Sequence, residues 1–255
     1  MTHIFASDYD GTLFKDRMIR EADLEAIKAF RAQGHKFGIV TGRSINSIVI
    51  EINKYAIPVD FIVGINGGAV LTHDYQEIFL SHMDNSVVEA MMRDVETFDV
   101  RFYGANDGYR LGRVFLSDAS SEFEPNVEMT DIEELKRDRG IRAMYVVTKS
   151  HEVASALTEF INQKYESKGV VAFQNLCAVD IGAQGVTKAT GIQCIREHYH
   201  YDGMVYTIGD SYNDLPMIEG FHGFAMAQGE DAIKAVSQGV YSTVGDAIQS
   251  VLENK

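Results

Sequence analysis

The first seventy residues alternate between short apolar runs and longer amphipathic segments, and this alternation constrains the fold more than any other feature. Runs at 4–7, 36–40 and 60–64 have the apolar character of buried strands. Between them, 21–33 and 44–55 carry apolar residues at helical spacing. Strand, helix, strand, helix, strand with short connections predicts right-handed crossovers that build a parallel sheet covered by helices. The predicted fold class is therefore α/β, with a Rossmann-like core.

The alternation breaks at about residue 81 and resumes after residue 185. The intervening stretch combines helical segments with several segments of two-residue periodicity, which is typical of a small α+β module with an antiparallel sheet. A polar stretch at 117–126 interrupts it. The sequence therefore predicts a discontinuous core domain and an inserted α+β domain, and the expected boundaries are 1–82 and 185–255 for the core and 83–184 for the insert.

Charge and cysteine content restrict the possible partners and location. The chain has 23 lysines and arginines against 37 aspartates and glutamates, a net charge of −14. This balance disfavours broad contact with nucleic acid or anionic membranes, although a small anion can still bind in a locally positive pocket. The two cysteines do not form a disulfide or zinc pattern, and neither a signal-peptide pattern nor a membrane-spanning apolar run is present. We expect a soluble cytoplasmic protein with no nucleic-acid or membrane partner, and the oligomeric state stays open.

Four loops at one edge of the predicted core carry polar side chains. Taken singly, each has a structural explanation as an acidic turn, a helix cap or a solvated lysine. Taken together they bring carboxylates, hydroxyls and helix N-termini to the edge where ligands bind in such sheets. Clustered carboxylate oxygens suit a hard cation such as Mg²⁺. The loops are DYDGTL at 8–13, VTGR at 40–43, GVTK at 185–188 and GDSYND at 209–214.

Two of these loops contain charges that need a partner. Asp8 and Asp10 raise each other's cost of ionisation, and a divalent cation between them would offset it. A calcium loop of the EF-hand type is excluded by spacing, because Gly11 comes fourth and Ile19 stands where a glutamate is required. Lys188 begins a predicted helix, where a cation is disfavoured unless an anion lies nearby.

These motifs, with INGG at 65–68, occur in the order in which the haloacid dehalogenase superfamily carries them. The chain resembles in particular the Cof-type phosphatases of that superfamily, which carry a large inserted α+β cap of the C2 (IIB) type. The resemblance covers essentially the whole chain. It departs from the usual pattern at Tyr9, where an aliphatic residue is common, and at Gln228, where asparagine is common and to which no role is carried over.

The resemblance implies a role for each matching residue. Asp8 would be the nucleophile that forms an aspartyl-phosphate, and Asp10 the general acid and base. Mg²⁺ would be held by Asp8, the backbone carbonyl of Asp10 and Asp210, with Asp214 acting directly or through water. Phosphate would be bound by Thr41, Gly42, Lys188 and Asn213, while Arg43 and Asn66 would shape the substrate pocket.

The resemblance implies a Mg²⁺-dependent phosphatase that hydrolyses a small phosphorylated metabolite such as a sugar phosphate. Two other interpretations remain: a phosphomutase of the same superfamily, and a non-catalytic metabolite-binding module. Aspartate at position 10 favours hydrolysis over a long-lived phosphoenzyme. The substrate is not identified by the sequence, and the candidate contacts on the insert are Arg101, Tyr103, Arg110, Arg113, Tyr145 and Asp180.

Overall fold

The computed structural model of the chain describes residues 1–116 and 129–253. The chain divides into two compact units. The first comprises Met1–Arg43, Ile48–Phe79 and Thr187–Lys255, and the second comprises Ser44–Ser47 and Leu80–Val186. The polar stretch predicted at 117–126 lies outside the described residues. That the two units act as a catalytic core and a specificity cap stays a prediction.

The described residues contain thirteen strands and nine α-helices. The strands are β1 (Ile4–Ser7), β2 (Lys36–Val40), β3 (Phe61–Gly64), β4 (Ala69–Thr72), β5 (Glu77–Leu80), β6 (Val100–Asn106), β7 (Leu111–Phe115), β8 (Ala143–Thr148), β9 (Val170–Asn175), β10 (Ala178–Ala183), β11 (Val205–Gly209), β12 (His222–Met226) and β13 (Gly239–Tyr241). The helices are α1 (Glu21–Ala32), α2 (Ile45–Tyr55), α3 (Asn85–Val95), α4 (Ile132–Asp138), α5 (His151–Tyr165), α6 (Lys188–His198), α7 (Leu215–Gly220), α8 (Asp231–Val236) and α9 (Val244–Glu253). No helix in this described part of the chain combines the length and apolarity needed to cross a membrane.

The first unit is built on a sheet with the strand order β13-β12-β11-β1-β2-β3-β4-β5. The pairs from β13 to β3 are parallel, and β4 runs antiparallel to β3. Central strands such as β1 are buried along their whole length, which explains why the sequence shows them as continuous apolar runs. The predicted α/β class with a parallel central sheet is confirmed.

The register of β1 brings three of the polar loops together. Ser7, its last residue, is paired with Ile39 in β2 and with Ile208 in β11. The loops that begin at Asp8, after β2 and at Gly209 therefore leave the sheet side by side at its carboxyl edge. The candidate site lies where the sequence placed it, at the carboxyl ends of the core strands.

The second unit contains an antiparallel sheet with the order β7-β6-β8-β10-β9. One face packs on helices through a continuous core that includes Val88, Leu157, Met144 and Val179. Residues that alternate with these in the strands belong to the opposite face, because successive side chains of a strand point to opposite sides.

Four elements have no counterpart in the sequence prediction. The strands β4 and β5 and the edge strand β13 are short, and β4 follows the glycines of INGG without a helix between. The helix α4 has the sequence IEELKRD, which contains too few apolar residues to show helical periodicity.

Candidate active site

Lys188 lies at the centre of the candidate site. It is the first residue of α6, and Thr187 caps that helix through a capping box with Thr190. Its Nζ donates to Oδ1 of Asp8 at 2.7 Å and to Oδ1 of Asp214 at 2.5 Å. The side chain is 1% exposed. The anions that offset its charge at the start of the helix are therefore two carboxylates.

Three aspartates form a group that could hold a metal ion. Asp8, Asp210 and Asp214 each offer an oxygen, and these oxygens lie within 4.8 Å of one another. The Oδ2 of Asp8 is buried and has no hydrogen-bond partner among the described residues, so one oxygen of this carboxylate is left for a ligand. Asp214 is oriented by its other oxygen, which accepts from the backbone N–H groups of Asp210 and Ser211 at 2.9 and 3.0 Å. The oxygen-only donor set and the unsatisfied atom fit a hard divalent cation.

The pKa values of the group are shifted mainly because the group is buried. Burial raises the pKa of Asp8 to about 8, with Lys188 opposing the shift and Asp214 adding to it. Burial and the charge of Asp214 raise the pKa of Asp210 to about 6. Burial disfavours the charged form of Lys188, but its attraction to Asp214 and Asp8 outweighs burial and raises its pKa. One ammonium does not balance three carboxylates, so a bound cation would favour their ionised forms.

Two glycines allow the acidic loops to approach each other. Gly11 has φ +85°, and a Cβ there would lie 2.3 Å from Oδ2 of Asp210. A Cβ at Gly209 would lie 2.4 Å from Cγ of Asp214. Thr12 completes the contact between the first and fourth loops, since its hydroxyl donates to Oδ1 of Asp210 at 3.3 Å.

Asp10 does not share the metal-capable group through its side chain. Arg43 holds it in a fork, with Nε 2.7 Å from Oδ2 and Nη2 2.7 Å from Oδ1. The Asp10 side chain is 50% exposed and is therefore accessible to a reacting group. The opening pair of aspartates is thus balanced by two separate cations, Lys188 for Asp8 and Arg43 for Asp10. That the Asp10 carbonyl binds a metal stays a prediction.

Tyr9 separates the two aspartates and is completely buried. Its hydroxyl donates to Oε2 of Glu51 in α2 at 2.9 Å, and its ring stacks on Phe14 with centroids 5.4 Å apart. Burial, with the Glu51 carboxylate, raises the pKa of Tyr9, so the hydroxyl stays protonated. The Cζ of Arg43 lies 5.1 Å from the ring centroid.

The residues predicted to bind phosphate lie on connected loops. Thr41 is buried and its hydroxyl accepts from the N–H of Arg43 at 3.1 Å, while its carbonyl accepts from the N–H of Asn66 at 2.9 Å. A Cβ at Gly42 would lie 3.2 Å from Oδ1 of Asn66. The same Oδ1 accepts from Nδ2 of Asn213 at 3.2 Å. Thr41, Gly42, Asn66 and Asn213 are therefore brought together.

The INGG loop, which contains Asn66, has a strained backbone. Ile65 and Asn66 have φ values of +44° and +55°, and Gly67 has +104°. A β-branched residue with positive φ is an outlier that persists only when the surrounding structure imposes it. Ile65 is held by its N–H, which donates to the carbonyl of Arg43 at 2.9 Å.

Sequence reasoning missed the contribution of Gln228. Its Nε2 donates to the carbonyl of Gly11 at 2.8 Å, and its Oε1 accepts from Lys15 at 2.9 Å. It therefore fixes the turn that follows Asp10. Nothing in the local sequence indicates this contact, because Gln228 and Gly11 are 217 positions apart.

Five of the six candidate substrate contacts on the second unit fall into two groups. Tyr103 is buried and donates to Glu96 at 2.8 Å, and Arg110 forms ion pairs with three carboxylates. The other group forms one row across the sheet face opposite the helices, because the register pairs Arg113 with Gly104, Gly104 with Tyr145 and Tyr145 with Asp180. Arg101 is exposed at the start of β6.

The strand ends of this parallel α/β sheet bring three carboxylates together, two of them bound to a buried lysine, in a donor set that fits a divalent cation. The model of the haloacid dehalogenase-like hydrolase family matches residues 5–252. The chain belongs to this family, which confirms the resemblance inferred from the motifs and the expected hydrolase class.

Individual proteins agree with the family assignment. A candidate phosphatase of Metamycoplasma hominis is 28% identical over 236 residues, which cover 84% of this chain and 81% of that protein. A haloacid dehalogenase/Cof-like hydrolase from Plasmodium vivax has a TM-score of 0.82 at 21% identity, covering 99% and 96% of the two chains. A haloacid dehalogenase subclass IIB sugar phosphatase has a TM-score of 0.78 at 21% identity, covering 99% and 98%. The two structural matches show a shared fold.

Proposed function

We propose that the chain is a Mg²⁺-dependent phosphatase that hydrolyses a small phosphate monoester through an aspartyl-phosphate on Asp8. The observation that carries the proposal is the Asp8 carboxylate. One of its oxygens is bound by Lys188, and the other is buried with no hydrogen-bond partner among the described residues, in a carboxylate that is grouped with Asp210 and Asp214. A nucleophile needs such an oriented oxygen, held by one contact and left open on the other side.

Asp8, Asp210 and the carbonyl of Asp10 would hold the cation, and Asp214 would act directly or through a bound water. When bound, Mg²⁺ supplies positive charge that offsets the repulsion between the Asp8 carboxylate and the substrate phosphate. Asp214 also fixes Lys188 and the backbone of the fourth loop, since its Oδ1 accepts from Lys188 and its Oδ2 accepts from two backbone N–H groups of that loop.

In the first chemical step, a bond forms between an Asp8 oxygen and phosphorus, and the bond from phosphorus to the leaving oxygen breaks. Asp10, protonated on one oxygen after that oxygen gives up its contact with Arg43, gives this proton to the leaving oxygen, so that an alcohol leaves. In the second step, Asp10 takes a proton from water while the water oxygen attacks phosphorus. The bond to Asp8 breaks, and inorganic phosphate and the free carboxylate are regenerated.

The phosphoryl oxygens would be held by the Thr41 hydroxyl, the Gly42 N–H, Lys188 and Asn213. These groups are donors, and the loops that carry them are fixed by the Asn66 contacts described above. Donors positioned before the reaction stabilise the charge that develops on the transferring phosphoryl group. In this proposal Arg43 holds the Asp10 carboxylate, and Asn66 connects the loops that carry Thr41 and Asn213.

For the substrate we propose a sugar phosphate or a similar small metabolite. The support is the likeness to a subclass IIB sugar phosphatase and the row of Arg113, Tyr145 and Asp180, whose polar groups can hydrogen-bond hydroxyls. In this proposal the core spans 1–82 and 185–255 and carries the chemistry, while the insert at 83–184 selects the leaving group.

The test is hydrolysis of p-nitrophenyl phosphate with saturating Mg²⁺, followed by a panel of sugar, nucleotide and cofactor phosphates. Chelator and Asp8→Asn should each abolish turnover, and Asp60→Asn, on the opposite edge of the sheet, should not. Undiminished turnover in Asp8→Asn would falsify the nucleophile assignment. An isomerised sugar phosphate without released phosphate would instead indicate a mutase, and tight ligand binding without any turnover would indicate a binding module.

A further inference from the structure

Tyr9 is fixed at both ends of its side chain. Its hydroxyl donates to Glu51, which is 8% exposed and lies in α2, and its ring lies parallel to that of Phe14 with an interplanar angle of 4°. Lys54 stands 3.9 Å from the same Glu51 oxygen and provides partial charge balance. The ring therefore has one orientation, set by contacts from two separate segments of the chain.

This ring is the surface on which Arg43 rests. The Cζ of Arg43 is 5.1 Å from the ring centroid, while two of its N–H groups reach the carboxylate of Asp10. A guanidinium is attracted to the negative face of an aromatic ring, and a phenol that donates to a carboxylate is a more electron-rich partner. An aliphatic side chain at position 9 would offer Arg43 only dispersion contact.

We infer that Tyr9, anchored by Glu51, is a positioning residue that holds Arg43 and thereby aims the Asp10 carboxyl at the leaving oxygen. The inference rests on the proposed function, in which Asp10 supplies the proton. Tyr9 itself touches no reacting atom. Its effect is to keep a half-exposed carboxyl from rotating away, because the Arg43 fork can hold Asp10 only while the guanidinium itself is held.

A purely structural role for Tyr9 predicts a different result. If the ring only fills the core, its removal lowers stability and slows every substrate to the same extent. If the ring positions Asp10, the loss of kcat/KM on removing the ring depends on the leaving group. A basic leaving oxygen needs the proton from Asp10, and a weakly basic one does not.

The experiment measures kcat/KM for 2,4-dinitrophenyl, p-nitrophenyl and phenyl phosphate, which share a ring and differ in leaving-group basicity. We expect Tyr9→Leu to lower kcat/KM about tenfold with phenyl phosphate and less than about twofold with the dinitrophenyl ester. Tyr9→Phe keeps the ring and loses the anchor, so its loss with phenyl phosphate should be about threefold. Glu51→Leu, which removes the acceptor of the Tyr9 hydroxyl, should resemble Tyr9→Phe.

Tyr165 offers a matched control, since it is also fully buried and its hydroxyl donates to a carboxylate, Asp94, in the second unit. Tyr165→Leu should change kcat/KM by the same factor for all three substrates. Equal losses across the series in Tyr9→Leu, or no loss, would overturn the inference while leaving the phosphatase proposal intact. An inactive wild type would overturn both. Should Tyr9→Leu not fold, Tyr9→Phe and Glu51→Leu decide by the same comparison, the loss of kcat/KM with phenyl phosphate against the loss with the dinitrophenyl ester.

Discussion

The Nζ of Lys188 lies 2.7 Å from Oδ1 of Asp8, and the two side chains are 1% and 6% exposed. This pair gives the proposed nucleophile a permanent counter-charge on one oxygen. The other oxygen has no partner in the described part of the chain. The fold therefore orients the carboxylate with one contact and leaves its second oxygen for the reaction.

Lys188→Met should separate stability, metal binding and catalysis. The change leaves Asp8 and Asp214 buried without their cation, so we expect the free energy of unfolding of the metal-free protein to fall by about 3 kcal/mol in urea titrations. It also removes a positive charge that competes with the metal, so Mg²⁺ should bind more tightly by calorimetry. Turnover should fall by about 100-fold or more.

The control for this change is Lys28→Met, which removes a lysine from an exposed pair with Glu25. Weaker Mg²⁺ binding in Lys188→Met would contradict the assignment of Lys188 as a charge that competes with the metal.

Gly11→Ala tests whether the first loop must approach Asp210 this closely. The added Cβ would meet Oδ2 of Asp210 at 2.3 Å, so the Mg²⁺ concentration for half-maximal activity should rise by about tenfold. Gly34→Ala is a matched control, because its φ is +84° and a Cβ there meets nothing within 4 Å in the described residues. Both changes cost about 1 kcal/mol of backbone strain. A shift of the Mg²⁺ dependence in both variants would show that strain alone is responsible.

Asp210→Asn and Asp214→Asn should have opposite effects on the metal-free protein. Because the pKa of Asp210 is raised to about 6, its ionised form costs stability as the pH rises from 3.8 through 6. Asp210→Asn removes that cost, so its stability relative to wild type should increase over this range and stay higher above it. Asp214→Asn weakens the contact with Lys188 and the orientation by two N–H groups, and should be destabilising. Thermal unfolding with chelator, from pH 4 to 8, distinguishes the two.

Asp60→Asn should remove part of the acid sensitivity of the fold. Burial alone would raise the Asp60 pKa, but hydrogen bonds from Arg31 and the Phe37 N–H outweigh it and hold the pKa below its ordinary value of 3.8. The stabilisation is therefore present above pH 3.8 and is lost as the pH falls through the folded-state pKa. At pH 7 the variant should be less stable by about 2 kcal/mol. A difference from wild type that did not shrink on acidification would contradict this assignment.

The sequence predicted the elements whose local pattern is strong. The apolar runs at 4–7 and 36–40 match β1 and β2, and the amphipathic segments at 21–33 and 44–55 match α1 and α2 to within one residue, because their apolar spacing is regular. The strands β4 and β5 were missed because they form no crossover unit. The helix α4 was missed because its seven residues are mostly charged: Asp131 caps it, and its only buried residues are Ile132 and Leu135, which are too few to show a helical pattern.

The site was predictable to the extent that its parts lie at strand ends. Parallel strands bring Asp8, Thr41 and Asp210 to one edge, so their proximity follows from topology alone. The hydrogen-bond partner of each side chain does not follow from the topology. Nothing in the sequence shows that Tyr9 meets Glu51 or that Gln228 meets Gly11, since such contacts depend on how helices and loops pack.

Covalent transfer of phosphate to Asp8 is the central step of the proposed mechanism, and a rapid acid quench tests it most directly. The protein is mixed with excess p-nitrophenyl phosphate and Mg²⁺, quenched within the first turnover and analysed by peptide mass spectrometry. We expect one phosphoryl group on the peptide that contains Asp8, absent in Asp8→Asn and in wild type with chelator. A full first turnover of p-nitrophenol with an unmodified Asp8 peptide, or a phosphoryl group on a different residue, would contradict the account.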